Sequence, residues 1–332
     1  MRALIQPTAE SKLDDLILTT CAVPAPNLDQ HEHLIRVHAC SPCAGELLWP
    51  LNFPPDPREL IPCPDVAGMV ISAPIDSPFQ PGAEVYARTN YSRPGNARDY
   101  TIAITDELAF KPQSLSWTEA AAVPVSAQTA WQILFVHAGI VPPEAEMDIS
   151  KAREAWKGKR ILVTGASGSV GMWVMQLARL LGVEAVGTCG PDNVALVEEM
   201  GAKEVLNYRT ADLKKWSEEQ DERKVDVVID CIGRQSLQDA WWTVKEKGTV
   251  LSIVQPPGSL CPMASPDSIR CVFFVMQPSA VQLGEITRLI DEGKCRGMVD
   301  SVWPLEKFHQ AFKRMDTGHA RGKVILDIFS NE

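Results

Sequence analysis

The residues with the clearest chemical capacity lie in the stretch from Lys159 to Gly182. A short apolar run, Ile161 to Val163, leads into small residues, after which Val170, Val174, Leu177, Ala178 and Leu181 recur at helical spacing. The pattern predicts a strand, a tight turn and a helix. The turn reads Ala166-Ser167-Gly168-Ser169-Val170-Gly171, a dinucleotide fingerprint with alanine at the first glycine position. A small first residue permits the sharp turn, Gly168 lets backbone N–H groups approach a pyrophosphate, and Gly171 lets the helix lie close on the strand. The helix N-terminus then offers unpaired N–H groups and its dipole to the anion. The alternative is a strand-to-helix turn that needs small residues only for packing.

Context decides between them. Strand-like runs follow at Glu184–Thr188, Glu204–Asn207, Val225–Asp230 and Gly248–Val254, with helix-like runs between them, notably Asn193–Met200 and Leu213–Arg223. Such alternation predicts a parallel, doubly wound α/β sheet. Ligands of these sheets collect at the carboxyl ends of the strands, which adds Cys231-Ile232-Gly233 and Ser252-Ile253-Val254 as backbone contacts for a nucleotide. NAD-preferring sites carry an acid at the end of the second strand. Here Gly187-Thr-Cys-Gly190-Pro191 has none before Asp192, which leaves room for a phosphate and favours NADPH.

The remaining elements must position this turn. A chain of 332 residues is long for one core, so two domains are expected. Net charge of −10 argues against nucleic acid or an anionic membrane surface as partner. No charged-then-apolar leader opens the chain and no apolar run approaches twenty residues, so a cytoplasmic protein is expected. The nine cysteines are scattered through apolar runs, as reduced core thiols are. Cys40 and Cys43 form a Cys-x-x-Cys with no partner pair downstream, and the six histidines show no site-like spacing.

Residues 1 to 125 show short strand-like pieces (Leu16–Leu18, His33–Val37, Val66–Ile71, Glu84–Tyr86, Tyr100–Ile104) between turns rich in proline and glycine, which predicts a compact, mostly β domain. Ser116 to Ala138 reads as a helix capped by Ser116 and Glu119, and Gly139 to Lys159 as a surface excursion. A bulky strand at 270–276 suits a sheet edge. A second copy pairing across it would make a homodimer; the chain's own segments could cover it equally. A helix at Ser279–Glu292, another at Leu305–Met315 and a closing strand from Gly322 that returns to the first domain complete the chain.

Taken together, Pro-Gly-Ala-Glu-Val-Tyr at 81–86, Ala-Ala-Ala-Val-Pro-Val-Ser-Ala-Gln-Thr-Ala-Trp at 120–131, the fingerprint, Met-Gly-Ala at 200–202, Asn-Tyr-Arg at 207–209 and the terminal Gly-Lys-Val-Ile-Leu resemble the medium-chain dehydrogenase/reductase superfamily over nearly the whole length. The similarity is greatest to the zinc-free quinone oxidoreductase and enoyl reductase branch, which includes fungal trans-acting enoyl reductases. The resemblance implies a GroES-like catalytic domain at 1–125, completed by about 297–332, a Rossmann domain at 126–296, and a cleft where nicotinamide meets substrate. Zinc-dependent members hold the metal with an early cysteine, a Gly-His-Glu segment and a later cysteine or acid. Cys43 stands at the first of these positions, Cys63-Pro64-Asp65 replaces the second and Val125 the third, so no metal is expected.

The resemblance further implies that Gly190, Asn193 and Tyr208, with Arg209 adjacent, contact the 2′-phosphate of NADPH. Tyr208 has an alternative as a sheet-end aromatic. Cys43 and Glu46 occupy the segment that lines the nicotinamide in relatives, and Thr129 approaches the cofactor. Glu46 would hydrogen-bond a ribose or assist proton delivery, or else be a solvated or capping group; Cys43 has an alternative as an apolar filler, and Thr129 as a helix-interior residue bonding its own backbone. Trp49, Trp131, Phe273 and Phe274 are candidate substrate walls or plain core. The expected reaction is metal-free hydride transfer to the β-carbon of a small or carrier-bound α,β-unsaturated carbonyl. A detoxifying quinone or alkenal reductase and a catalytically silent NADPH-binding sensor are the alternatives.

Overall fold

Alternation of apolar side chains makes the central strand of the first unit. Glu32–Ser41 buries His33, Ile35, Val37 and Ala39, every second residue, as a pleated strand with one covered face requires. It pairs antiparallel with Asp65–Ser72, Tyr100–Ile104 and Lys323–Asp327 in a seven-stranded sheet completed by Val299–Pro304, Glu84–Arg88 and Leu108–Phe110. The computed structural model describes residues 1–52, 59–142, 148–262 and 267–329. The chain divides into two units, 1–128 with the residues from 277 on, and 129–276.

The closing strand returns to the first unit as its sequence predicts. One buried carboxylate explains how it is held. Asp65, fully buried at the head of its strand, accepts the Val125 N–H on Oδ1 (2.7 Å) and meets Lys323 Nζ with Oδ2 at 3.0 Å. Lys323 Nζ also donates to Pro42 O at 2.7 Å. Burial pushes the Asp65 pKa up against the pull of Lys323, while Lys323, though desolvated, is held above its ordinary value chiefly by Asp65.

Two expectations about helices need correcting. The Ser116 cap forms, with Ser116 N–H on Glu119 Oε2 (2.8 Å) and Glu119 N–H on Ser116 Oγ (3.3 Å). The single helix does not: the segment is split into Trp117–Ala120, Pro124–Trp131 and a wider π-type turn at Gln132–His137, because Pro124 has no N–H to continue the first piece. The helix Ala280–Asp291 packs with the first unit, where Tyr86 Oη lies 2.8 Å from Thr287 Oγ1, so the boundary falls at 276 rather than near 296.

In the second unit six strands run parallel in the order Glu204–Asn207, Glu184–Cys189, Arg160–Val163, Val225–Asp230, Val244–Ser252 and Arg270–Phe273. This is the doubly wound order, with the switch point between Arg160–Val163 and Val225–Asp230. The stretch before it is no mere surface excursion. Asp148 caps a helix, Ile149–Trp156, that buries Ala152 and Trp156, while 143–147 lie outside the described residues. The bulky run at 270–276 supplies only four strand residues, at the sheet's edge.

Replacing Lys323 by Met would leave Asp65 as a buried carboxylate without its counter-charge. Loss of about 3–5 kcal/mol in urea unfolding is expected; an unchanged midpoint would show that the pair does not hold the closing strand.

Candidate functional site

In the second unit, the turn after Arg160–Val163 places the positive backbone angle at Gly165 (φ 64°), so Gly165, and not Ala166, makes the sharp bend. Ala166 is buried, and its N–H donates to Thr188 O at 2.9 Å. Its methyl faces Gly187, where a side chain would come within 2.8 Å of it. Gly168 caps the helix Ser169–Leu181, and Ser167, Gly168, Ser169 and Val170 keep partial access to solvent. At Gly171 a Cβ would lie 2.4 Å from Gly165 O, so only glycine allows this approach.

Beside the turn, Asn193 Nδ2 donates to Ser167 Oγ at 3.2 Å, and Asn193 Oδ1 is buried with no hydrogen-bond partner among the described residues. Tyr208, 52 % exposed, sits close to Gly190, and Arg209 lies over its ring at 6.0 Å. Gly190, Asn193, Tyr208 and Arg209 are therefore gathered at the end of Glu184–Cys189, where Gly187 to Gly190 bring no carboxylate. The glycine cradle, the helix N-terminus and the unpaired amide oxygen fit a dinucleotide.

At the switch point, Asp230 is the residue that reading the sequence missed. It is fully buried and accepts from Thr164 Oγ1 (2.7 Å), Ser252 Oγ (2.7 Å) and the Gly233 N–H (3.0 Å), tying three strand ends together. Cys231 N–H donates to Thr164 Oγ1 (3.0 Å) and Ile253 N–H to Asp230 O (3.1 Å), so these two predicted contacts have their amides engaged by the protein. Ile232 is 54 % exposed and lies over Gly165. An acid ending the run Val225–Asp230 beside Cys-Ile-Gly was the available signal.

In the first unit, Pro42 ends the central strand, and Gly45 (φ 76°) turns the chain so that Glu46 N–H donates to Cys43 O at 3.1 Å. Glu46 is buried, and its Oε2 accepts the Cys63 N–H at 3.0 Å. Cys63 has a left-handed backbone (φ 72°), held by Asn96 Nδ2 on Cys63 O and Pro64 O at 2.8 and 3.0 Å. Burial raises the Glu46 pKa to about 8 and that of Cys43 to about 11, so neither the carboxylate nor the thiolate is the favoured form at pH 7. Lys323, Asp65 and Arg88 act electrostatically on Cys43; the sequence marks them only as charges within otherwise apolar strands. Thr129, the first residue of the second unit, is buried in Pro124–Trp131 and already has an interaction partner.

A model of the family described as "zinc-binding dehydrogenase" matches residues 200–326. A protein of Arthroderma benhamiae named "probable zinc-binding oxidoreductase, mitochondrial" is 49% identical over 94% of this chain and 93% of its own. The chain belongs to the medium-chain dehydrogenase/reductase superfamily, in its zinc-binding dehydrogenase family. It is an oxidoreductase of that family. An Arabidopsis thaliana protein named "chloroplast envelope quinone oxidoreductase homolog" is 32% identical over 92% of each chain. Among solved structures, the quinone oxidoreductase from Coxiella burnetii superposes with a TM-score of 0.82, at 23% identity and 99% coverage of both chains.

The family's name raises zinc, but the residues do not fit it. Pro64 has no donor, Asp65 is committed to Lys323 and the Val125 amide, and Lys323 places a buried ammonium beside Cys43. Among the described residues no group of three His, Cys, Asp or Glu side chains is arranged to hold a metal.

The buried Glu46 carboxyl predicts a pH effect. Below about pH 4.5 it is protonated folded or unfolded; as pH rises the unfolded chain ionises first, and only near pH 8 does the folded carboxyl follow. Urea unfolding of Glu46→Gln should therefore gain on the native protein between pH 5 and pH 8, by roughly a few kcal/mol. Parallel pH profiles would show that Glu46 is not desolvated.

Proposed function

We propose that this chain reduces an activated carbon–carbon double bond, in an α,β-unsaturated carbonyl or enoyl thioester, with NADPH and without a metal. The observation that carries the reading is the donor set around Cys43, in which Pro64 and the Asp65–Lys323 pair stand where metal ligands would be needed. A conjugated acceptor suits such a site, because conjugation spreads the developing charge and a few hydrogen bonds suffice to stabilise the enolate.

When bound, NADPH supplies the hydride. The backbone of Ser167, Gly168, Ser169 and Val170 would cradle the pyrophosphate, with Gly171 allowing the close helix. Gly190, Asn193, Tyr208 and Arg209 would receive the 2′-phosphate, which the absence of an acid between Gly187 and Gly190 leaves room for. Ile232 and Ile253 would border the nucleotide at the strand ends. Quinone reduction is the second reading, favoured by the name of the Arabidopsis relative.

A second copy of the chain pairing along Arg270–Phe273 remains the proposed partner, since this strand closes the sheet's edge with Phe273 44 % exposed. A cytoplasmic location stays a proposal beside relatives named for mitochondrion and chloroplast envelope. No helix among the described residues is long and apolar enough to cross a membrane.

Nicotinamide fluorescence during titration with NADPH and then NADH, followed by a panel of enones, enoyl thioesters and quinones, tests the function. Tighter binding of NADPH, with oxidation on an enone or enoyl thioester, is expected. Turnover on quinones alone would favour the second reading, and NADPH binding with no acceptor reduced would favour a silent sensor.

A further inference from the structure

The first unit contains a recess of about 60 Å³ whose lining includes Glu46, Trp49, Cys63, Asn90 and Tyr91. Glu46 is 6 % exposed, one oxygen is fixed on the Cys63 amide, and the other, Oε1, is buried with no hydrogen-bond partner among the described residues. A buried polar atom left unpaired costs free energy, and a carboxyl lining a recess is satisfied by whatever enters it. The two oxygens thus have different tasks. Oε2 is fixed on the Cys63 amide, and Oε1 is the oxygen left to pair.

The surrounding charges favour a neutral ligand. Lys323 and Asp65 act on it as opposite and like charges, but each is held by the other, with Cys43 on the same turn and Cys63 on the facing loop. Glu59, Tyr91 and Arg93 face the recess from its other walls, and Arg93 is paired with Glu107. Arg88 acts on Cys43 and Asp65 from the neighbouring strand. A carboxylate ligand would add negative charge beside Glu59, which lines the same recess; a ketone, aldehyde, thioester or quinone would not.

We propose that Glu46, as a neutral carboxylic acid, donates a hydrogen bond from Oε1 to the carbonyl oxygen of the acceptor, and so takes the polarising role a Lewis-acid metal would otherwise have. This rests on the reaction read above. Burial raises the acid's pKa to about 8 against the pull of the Cys63 amide, Lys323 and the Cys43 amide, which keeps the donor proton in place at pH 7. When bound, NADPH would supply the hydride whose electron pair makes the new C–H bond at the β-carbon, leaving NADP⁺. The alkene's electron pair moves onto the α-carbon and carbonyl oxygen as an enolate. Glu46 keeps its proton and holds that oxygen, while the α-carbon takes its proton from water.

The test uses the full chain with NADP⁺ and 2-cyclohexenone labelled with carbon-13 at its carbonyl, followed by difference infrared spectroscopy at pH 7. The native protein should show a protonated-carboxyl band that is missing in Glu46→Gln and Glu46→Leu. The carbonyl stretch of the bound enone should be lowered in the native protein, lowered less in Glu46→Gln, which keeps a donor and an acceptor, and not lowered in Glu46→Leu. Reduction with NADPH should fall by about 100-fold in Glu46→Leu and by less in Glu46→Gln. A missing native band, or an equally lowered carbonyl stretch in Glu46→Leu, would overturn the proposal. Undiminished reduction in Glu46→Leu would overturn the role of Glu46 and leave the reaction standing; a carbonyl lowered through Glu46 but never reduced would overturn the reaction and leave the hydrogen bond standing.

Discussion

A single buried carboxylate carries the organisation of the first unit. Asp65 joins the head of its own strand to the closing strand through Lys323 and to the start of the helix Pro124–Trp131 through the Val125 amide. Lys323 then reaches Pro42, where the central strand ends and the turn bearing Cys43 and Glu46 begins. Four separated pieces of chain are thereby fixed by one ion pair in a low-dielectric setting, where losing either partner is costly. The position of Glu46 depends on this arrangement, because its turn starts from a backbone carbonyl that the pair holds.

Asp230 has a corresponding part in the second unit, but through hydrogen bonds in place of an ion pair. Thr164, Ser252 and the Gly233 amide converge on it from three strand ends, so the floor of the candidate site is a satisfied polar network. The neighbouring rim is less complete. Asn193 Oδ1 has no partner among the described residues beside the glycine turn, Tyr208 and Arg209 are exposed, and the residues at the helix N-terminus keep partial access to solvent. Saturated groups at the floor and available groups at the rim are what a binding surface needs.

Most of the doubly wound sheet was legible because its central strands are short apolar runs and the segments between them change to a helical period. The glycine turn was legible for the same reason, although its sharp bend belongs to Gly165 and not to the alanine one place later. The helix Ile149–Trp156 was obscured by surface charge around its two buried residues. The boundary near 276 was hidden because Ala280–Asp291 is an ordinary amphipathic helix whose sequence does not state which sheet it covers. At the candidate site, Cys43 and Glu46 stand out by position, whereas the bracing roles of Lys323 and Asn96 arise from contacts between residues far apart in the chain. No local pattern encodes such contacts.

The central claim is that this zinc-binding dehydrogenase relative works by polar side chains where metal ligands would be required. The most direct measurement is the rate of NADPH oxidation by 2-cyclohexenone before and after exhaustive dialysis against a zinc chelator, with zinc then restored and metal content determined at each stage. The account predicts protein without stoichiometric zinc and a rate that neither chelation nor added zinc changes. A rate that disappears with the metal and returns with zinc in a one-to-one ratio would contradict it.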